Sequence, residues 1–250
     1  MPIEEVVNYQ LHNMFPTTAY VGEMNDHARH KEVFYREIYP KYEFPRMEES
    51  SGDINTVSEH CGRPIIHMEE SAVPMMKEIT EHIKIYYMEV LGLKDVFDVY
   101  HTKSWISRSY NSEELIPEHL HSPSHISYAY YINAPEGSHA LSFYDKKKGN
   151  EFFQSVFDYY HEDDTFMNQY TFESTQKYSI ESKEGTICIF PSKTPHGTDF
   201  VSEVFSDERL AISGDCIITL KESERMKYSV GHINPKYWSC LLYTSPSPRD

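Results

Sequence analysis

The sequence lacks any apolar run near the roughly 18 residues that a membrane-spanning helix needs. Its N-terminus, MPIEEVVNYQ, also lacks the basic region and the apolar stretch of a secretory signal. Cysteine is scarce as well: the four cysteines are widely scattered and form no C-x-x-C pair, which argues against a structural zinc knuckle or a thioredoxin-type centre. We therefore expect a cytoplasmic protein with free thiols.

Positive charge is in short supply too. The chain carries 23 Lys and Arg against 39 Asp and Glu, a formal net charge of −16. Such a charge repels phosphate backbones and anionic membrane surfaces. The nearest candidate for a basic patch, Lys146 to Lys148, precedes Gly149 and is typical of a solvated turn. We therefore expect neither a nucleic-acid partner nor a membrane partner.

Two patterns of hydrophobicity divide the chain. Before residue 96 the apolar positions of 68–91 recur at spacings of three and four, which predicts a helix that stops at Gly92, and 23–39 predicts another that ends at Pro40. From residue 96 onward, short apolar runs alternate with Pro and Gly, which predicts an antiparallel sandwich or barrel. The predicted strands are 96–100, 105–109, 126–132, 140–144, 178–180, 186–190 and 210–220.

We expect one domain, in which a helical and loop part, 1–95, packs on a β core, 96–238. The acidic, aromatic stretch 151–172 predicts an insertion between strands. The last segment, 239–250, contains CLLYTSPSPRD, which resembles the translation of a sequencing adapter. We expect this tail to be an artefact that takes no part in the fold.

Three of the 14 histidines stand out by their spacing. His119 and His121 lie two residues apart, so both imidazoles project from one face if the segment is a strand end. His196 follows a glycine turn, a buried strand and a proline-bounded loop. A lone histidine is more often a surface or core residue than a ligand, and an H-x-H pair alone is a weak signal. The three together make a candidate metal site.

Arg209 begins an otherwise apolar strand. An arginine in such a place costs free energy unless it meets an anion. Its planar guanidinium suits a carboxylate, which Ser213 or a tyrosine hydroxyl could share.

These residues, with Ser104-Trp105, the run 127–133 and the strand 185–191, occur in the order seen in 2-oxoglutarate/Fe(II) oxygenases. The chain resembles the prolyl-hydroxylase-like branch of that family, and within it small uncharacterised proteins of marine viruses and bacteria. The resemblance covers about Val96 to Leu220. It implies a mainly β fold with flanking helices, a double-stranded β-helix (jelly roll).

The same resemblance implies a dioxygenase that couples oxidative decarboxylation of 2-oxoglutarate to hydroxylation. Its cofactors would be Fe(II) and 2-oxoglutarate, its partners O2 and a small-molecule or protein side-chain substrate. His119 and His196 match the iron-binding histidines, whereas His121 stands where most of the family has an aspartate. Imidazole is a competent Fe(II) ligand, so we predict a three-histidine site.

For the 2-oxoglutarate, the resemblance assigns the distal carboxylate to Arg209. Tyr131 matches a tyrosine that hydrogen-bonds the same carboxylate, and Ser213 matches a nearby Ser or Thr. Trp105 is expected to pack in the core. His125 is expected to be an ordinary surface or core residue, with a neighbour of the metal ligands or a competing ligand as the alternatives, and His139 is expected in a surface turn.

Two alternatives stay open. A non-catalytic jelly-roll binding or structural module would be consistent with the absent aspartate. A cupin-like dioxygenase with three histidines would need no 2-oxoglutarate, but it would leave Arg209 without a stated partner.

Overall fold

A computed structural model of the chain describes residues 17–42, 65–109, 115–144, 175, 177–199, 207–224, 227 and 234–238, which contain eight strands. The strands are β1 Tyr20–Glu23, β2 Phe97–Ser109, β3 Ile126–Asn133, β4 Ala140–Tyr144, β5 Lys177–Ile180, β6 Thr186–Pro191, β7 His196–Asp199 and β8 Arg209–Leu220. They build two antiparallel sheets with the orders β1-β6-β3-β8-β2 and β5-β4-β7. The expected insertion at 151–172 and the tail at 239–250 lie outside the described residues.

A further antiparallel bridge joins His119 to His196 and extends the smaller sheet beyond β7. The chain therefore contributes β1, β2, β3, β6 and β8 to the larger sheet, and His119, β4, β5 and β7 to the smaller one. This winding is the double-stranded β-helix, or jelly roll. The predicted fold class, mainly β with flanking helices, is confirmed.

The larger sheet separates an apolar core from a pocket. Ile106 and Ile212 face the core, together with the apolar side chains of the helices. Trp105, Ala211 and Ser213 line the pocket on the other side. Because neighbouring residues of a strand point to opposite faces, one strand serves both environments.

Two helices cover the core face. Helix α1, His27–Val33, continues as a π-helical turn, Phe34–Ile38, and α2, Val73–Ile85, continues as a second one, Tyr86–Val90. The helix predicted at 68–91 is therefore present, although its first turns, Ile66–Met68 and Glu70–Ala72, are 3₁₀. Within the described residues, no helix is long and apolar enough to cross a bilayer.

The observed elements differ from the predicted ones where pairing overrides local pattern. The helix predicted from residue 23 begins at His27, because Tyr20–Glu23 pairs with β6 as an edge strand. The strands predicted at 96–100 and 105–109 are one strand, which stays paired with β8 across a register shift at His101/Lys103. The boundaries 1–95 and 96–238 stay a prediction.

Tyr128 and Tyr130 lie on the core side of β3 and differ in their hydroxyl groups. The Tyr130 hydroxyl is hydrogen-bonded to His27 Nδ1 at 2.8 Å, whereas the buried Tyr128 hydroxyl has no partner among the described residues.

An unpaired buried hydroxyl costs about 1–3 kcal/mol. We expect Tyr128→Phe to keep or raise the free energy of unfolding, and Tyr130→Phe to lower it by about 1 kcal/mol. Urea titrations of both variants measure this, and equal losses would contradict it.

Candidate metal centre and active site

His119, His121 and His196 lie together at one end of the smaller sheet. Each offers a nitrogen within 4.8 Å of those of the other two. The backbones of His119 and His196 exchange two hydrogen bonds of 2.9 Å, and His121 N donates to Ser192 O at 2.8 Å. The sheet ladder therefore holds all three residues in place. Their role as metal ligands stays a prediction.

Hydrogen bonds fix the tautomer of each imidazole. In every case Nδ1 meets an oxygen that can only accept: Pro117 O at 2.8 Å for His119, Asp215 Oδ1 at 2.6 Å for His121, and Thr194 O at 2.8 Å for His196. The Nδ1 atoms therefore carry the hydrogens, and in a neutral ring the lone pair lies on Nε2. This is the state in which a histidine binds a metal through Nε2.

The charge state of the cluster also suits a metal. Burial, together with the neighbouring His119 and His121, lowers the pKa of His196 to about 3. The His196 imidazole is therefore neutral at physiological pH. Three imidazole nitrogens are a donor set that Fe(II) accepts. Across the described ranges, no second group of three His, Cys, Asp or Glu side chains is placed to hold an ion.

A pocket between the two sheets opens onto these histidines. Its walls combine apolar side chains, including Phe190 and Leu141, with the hydroxyl groups of Ser107 and Thr198. Trp105 was expected to pack in the core, but it lines this pocket with its ring centroid 5.4 Å from that of His121. The position follows from strand alternation, because Ser104 and Ile106 take the opposite face of β2.

Arg209 contributes a buried cation to the same pocket and is only 3% exposed. Its Nε donates to His139 O at 3.0 Å, and its Nη2 donates to Ser182 Oγ at 3.1 Å. Burial lowers the pKa of Arg209. No carboxylate among the described residues pairs with the guanidinium. Since a buried charge without a counter-ion is costly, the pocket suits an anion.

Tyr131 and Ser213, the other residues assigned to the co-substrate, lie near Arg209. The guanidinium carbon is 5.2 Å from the centre of the Tyr131 ring. Burial raises the pKa of the Tyr131 hydroxyl, and the charge of Arg209 together with hydrogen bonding to Ser182 and Arg209 partly offsets that rise. Ser213 lines the pocket, with its Oγ 3.3 Å from Ser107 Oγ.

Two other histidines fall outside the cluster. His125 Nδ1 accepts a hydrogen bond from Ile218 N at 3.1 Å. His139, expected in a surface turn, is 1% exposed, and its carbonyl supports Arg209. Nothing in the local sequence distinguishes His139 from a turn residue, since its contacts are with Ser109 and Ser182, which are distant in the chain.

Asp215 is a site residue that the sequence patterns did not single out. Its carboxylate accepts the hydrogen bond from His121, and it is 2% exposed. It stands with Arg209 as a charged residue in the apolar run of β8. The free-energy cost of a charge in an apolar strand, which distinguishes Arg209, applies to Asp215 as well.

Residues 103–215 match a family model described as "Putative 2OG-Fe(II) oxygenase". The match spans the three histidines, Arg209 and Asp215. Over this stretch the chain is similar to the 2OG-Fe(II) oxygenase family. The cofactors that the resemblance implied, Fe(II) and 2-oxoglutarate, are those of the family. No curated protein sequence matches the chain significantly.

Several solved structures are similar to the chain at low identity. A Pseudomonas putida prolyl-4-hydroxylase is 12% identical, with coverage of 80% of this chain and 92% of that one and a TM-score of 0.44. A Trichoplax adhaerens prolyl hydroxylase in complex with a peptide of hypoxia inducible factor is 12% identical, with coverages of 85% and 87% and a TM-score of 0.43. CytC3 with Fe(II) and alpha-ketoglutarate is 13% identical, with coverages of 88% and 82% and a TM-score of 0.46. Likenesses this distant carry no argument about function.

Gly197 allows β7 to approach the segment that leads to His119. A Cβ at this position would lie 2.6 Å from the Ile116 carbonyl oxygen and 3.1 Å from Pro117 backbone atoms. The backbone on one side would have to shift, and with it His119 or His196. We expect Gly197→Ala to weaken binding of a divalent metal by about 10-fold or more, as the loss of ligand support does elsewhere.

Isothermal titration with Co(II) measures this change. Gly92→Ala is the control, since Gly92 has φ +65 and a Cβ there would meet no atom within 4 Å. It should cost stability, because an L residue is strained there, without changing metal affinity. Unchanged affinity in Gly197→Ala would contradict the role given to this close approach.

Proposed function

We propose that this protein is a non-haem Fe(II) dioxygenase that couples oxidative decarboxylation of 2-oxoglutarate to hydroxylation of a second substrate. The observation that carries the proposal is the buried guanidinium of Arg209 in the same pocket as three converging histidines. 2-Oxoglutarate has a carboxylate at each end. One molecule can therefore meet a metal with one end and a buried arginine with the other.

The proposal gives a role to six residues in and beside the pocket. His119, His121 and His196 would hold the iron through their Nε2 atoms. Arg209 would bind the distal carboxylate with a guanidinium oriented by His139 O and Ser182 Oγ. The hydroxyl groups of Tyr131 and Ser213 would share that carboxylate.

When bound, Fe(II) with 2-oxoglutarate and O2 supplies the oxidising chemistry that yields succinate, carbon dioxide and a hydroxylated product. The protein's part is to orient the reactants and to exclude water. Trp105, Phe190 and Leu141 form apolar walls beside the histidines, and such walls strengthen electrostatic interactions inside the pocket.

Arg209 also bears on the alternatives. A three-histidine dioxygenase that needs no 2-oxoglutarate would leave its buried charge without a counter-ion, and a non-catalytic binding module would have to hold some other anion there. The identity of the substrate, a small molecule or a protein side chain, stays a prediction. The same holds for the cytoplasmic location and for the absence of nucleic-acid and membrane partners.

Turnover without a second substrate tests the proposal. Protein loaded anaerobically with Fe(II) and then exposed to O2 should convert 2-oxoglutarate to succinate slowly, as measured by NMR. Protein with stoichiometric iron that forms no succinate would contradict the proposal. Oxygen uptake that is the same with and without 2-oxoglutarate would instead favour the co-substrate-free dioxygenase.

The assignment of Arg209 has its own test. Arg209→Lys keeps a positive charge but loses the planar fork, and Arg209→Ala loses both. A hydrogen bond to a charged group contributes about 1.5–3 kcal/mol, so we expect the Kd for 2-oxoglutarate to rise about 10- to 100-fold. Arg209→Ala should have the larger effect, and Co(II) affinity should stay within about twofold.

Arg108→Lys provides a matched control for this experiment. Arg108 lies on β2 and contacts Tyr39 on the helix-covered side of the sheet. Its replacement should leave the Kd for 2-oxoglutarate unchanged. Weaker metal binding with unchanged 2-oxoglutarate binding in the Arg209 variants would overturn the assignment.

A further inference from the structure

Asp215 is a buried carboxylate in the middle of β8. Its Oδ1 accepts hydrogen bonds from His121 Nδ1 at 2.6 Å and from Ser127 Oγ at 2.7 Å. Lys103 is the cross-strand neighbour of Asp215 in β2. Within the described residues, however, the one ion-pair contact of Asp215 is with His121. A buried carboxylate without a lysine or arginine partner needs its charge balanced by another route.

The surroundings of Asp215 hold it in one place. Ser127 lies directly opposite it in β3, and Ser127 Oγ is 2.9 Å from Ser192 Oγ. Ser192 also accepts the backbone hydrogen bond from His121 through its carbonyl oxygen. The carboxylate, the two serines and His121 therefore form one connected polar group inside the sheet. A group of this kind fixes the orientation of the His121 ring.

The net charge of the proposed ligand set suggests a role for the Asp215 carboxylate. Three neutral imidazoles bring no negative charge to a divalent ion, whereas an aspartate in place of His121 would bring one. A carboxylate that accepts from Nδ1 of a ligating histidine makes Nε2 a stronger donor and holds the ring toward the metal. Asp215 occupies this position relative to His121.

We infer that Asp215 is a positioning residue of the metal site, and that through His121 it supplies the negative charge missing from the three-histidine ligand set. The inference rests on the proposed function, since it takes the three histidines as ligands. In return, the bound cation balances the buried charge of Asp215. The cluster thus has four members, one of which does not touch the metal.

Two substitutions separate charge from geometry. Asp215→Asn keeps an oxygen that accepts from His121 and Ser127 but removes the charge, and Asp215→Ala removes both. Cys216→Ala is the matched control, because Cys216 is the next residue, is buried, and faces the core side with its Sγ 3.2 Å from His101 Nδ1. The probe is Co(II) alone, titrated anaerobically and followed by its visible spectrum.

Loss of a residue that supports a metal ligand weakens metal binding by about 10- to 100-fold. We expect Co(II) affinity to fall about 10-fold in Asp215→Asn and about 100-fold in Asp215→Ala, with Cys216→Ala within about twofold of the wild type. The visible bands of bound Co(II) should shift in Asp215→Asn, because the donor strength of His121 changes. Asp215→Asn that binds Co(II) with wild-type affinity and spectrum would overturn the inference.

Thermal unfolding of the metal-free proteins excludes a purely structural role. Removal of an uncompensated buried charge should leave the Tm of metal-free Asp215→Asn at or above that of the wild type, while the rise in Tm on adding Co(II) shrinks. A lower metal-free Tm with unchanged Co(II) affinity would assign Asp215 to fold stability alone. A wild-type protein that binds no Co(II) would overturn the metal site itself. Normal Co(II) binding without succinate formation would overturn only the proposed function.

Discussion

The pairing of β8 with β2 on one side and β3 on the other determines what the rest of the molecule can do. Arg209, Ala211, Ser213 and Asp215 alternate with Leu210, Ile212, Gly214 and Cys216 along this strand. The first set faces the pocket or the histidines, and the second set faces the helices or the sheet interior. A slip of one residue in register would exchange the two sets. The long ladders to both neighbours make such a slip costly.

Because they are an even number of residues apart, the cation Arg209 and the anion Asp215 lie on the same face of β8. His121 of the three-histidine cluster is hydrogen-bonded to Asp215, and Arg209 lies in the pocket wall. Within the described residues, no carboxylate pairs with Arg209, and no lysine or arginine pairs with Asp215. The fold therefore carries two buried charges that incoming ligands can compensate, and ligand binding and stability are linked through them.

Much of the fold follows from elementary patterns, because strand alternation and helical periodicity are local properties. Three features can each be recognised within one short segment of sequence. They are the spacing of His119 and His121, the helix before Gly92 and the arginine in an apolar strand. The edge strand β1 and the polar strand β7 do not, since each has four residues and owes its form to a partner far along the chain. Trp105 and His139 were misplaced for a related reason. Which face of a sheet becomes a pocket is decided by the packing of the second sheet, and no local pattern records it.

The bridge between His119 and His196 has a consequence in coordination chemistry. The two residues form a hydrogen-bonded antiparallel pair, in which the Cα atoms lie about 5.5 Å apart. In the proposed metal site, the two rings would bind the ion as a bidentate chelate, in which the sheet sets the distance between the two ligand residues. The third arm, His121, is anchored by its own backbone and by Asp215. Three histidines held in this way would lose little conformational entropy on binding an ion. They would also favour ions whose radius matches the spacing that the ladder imposes.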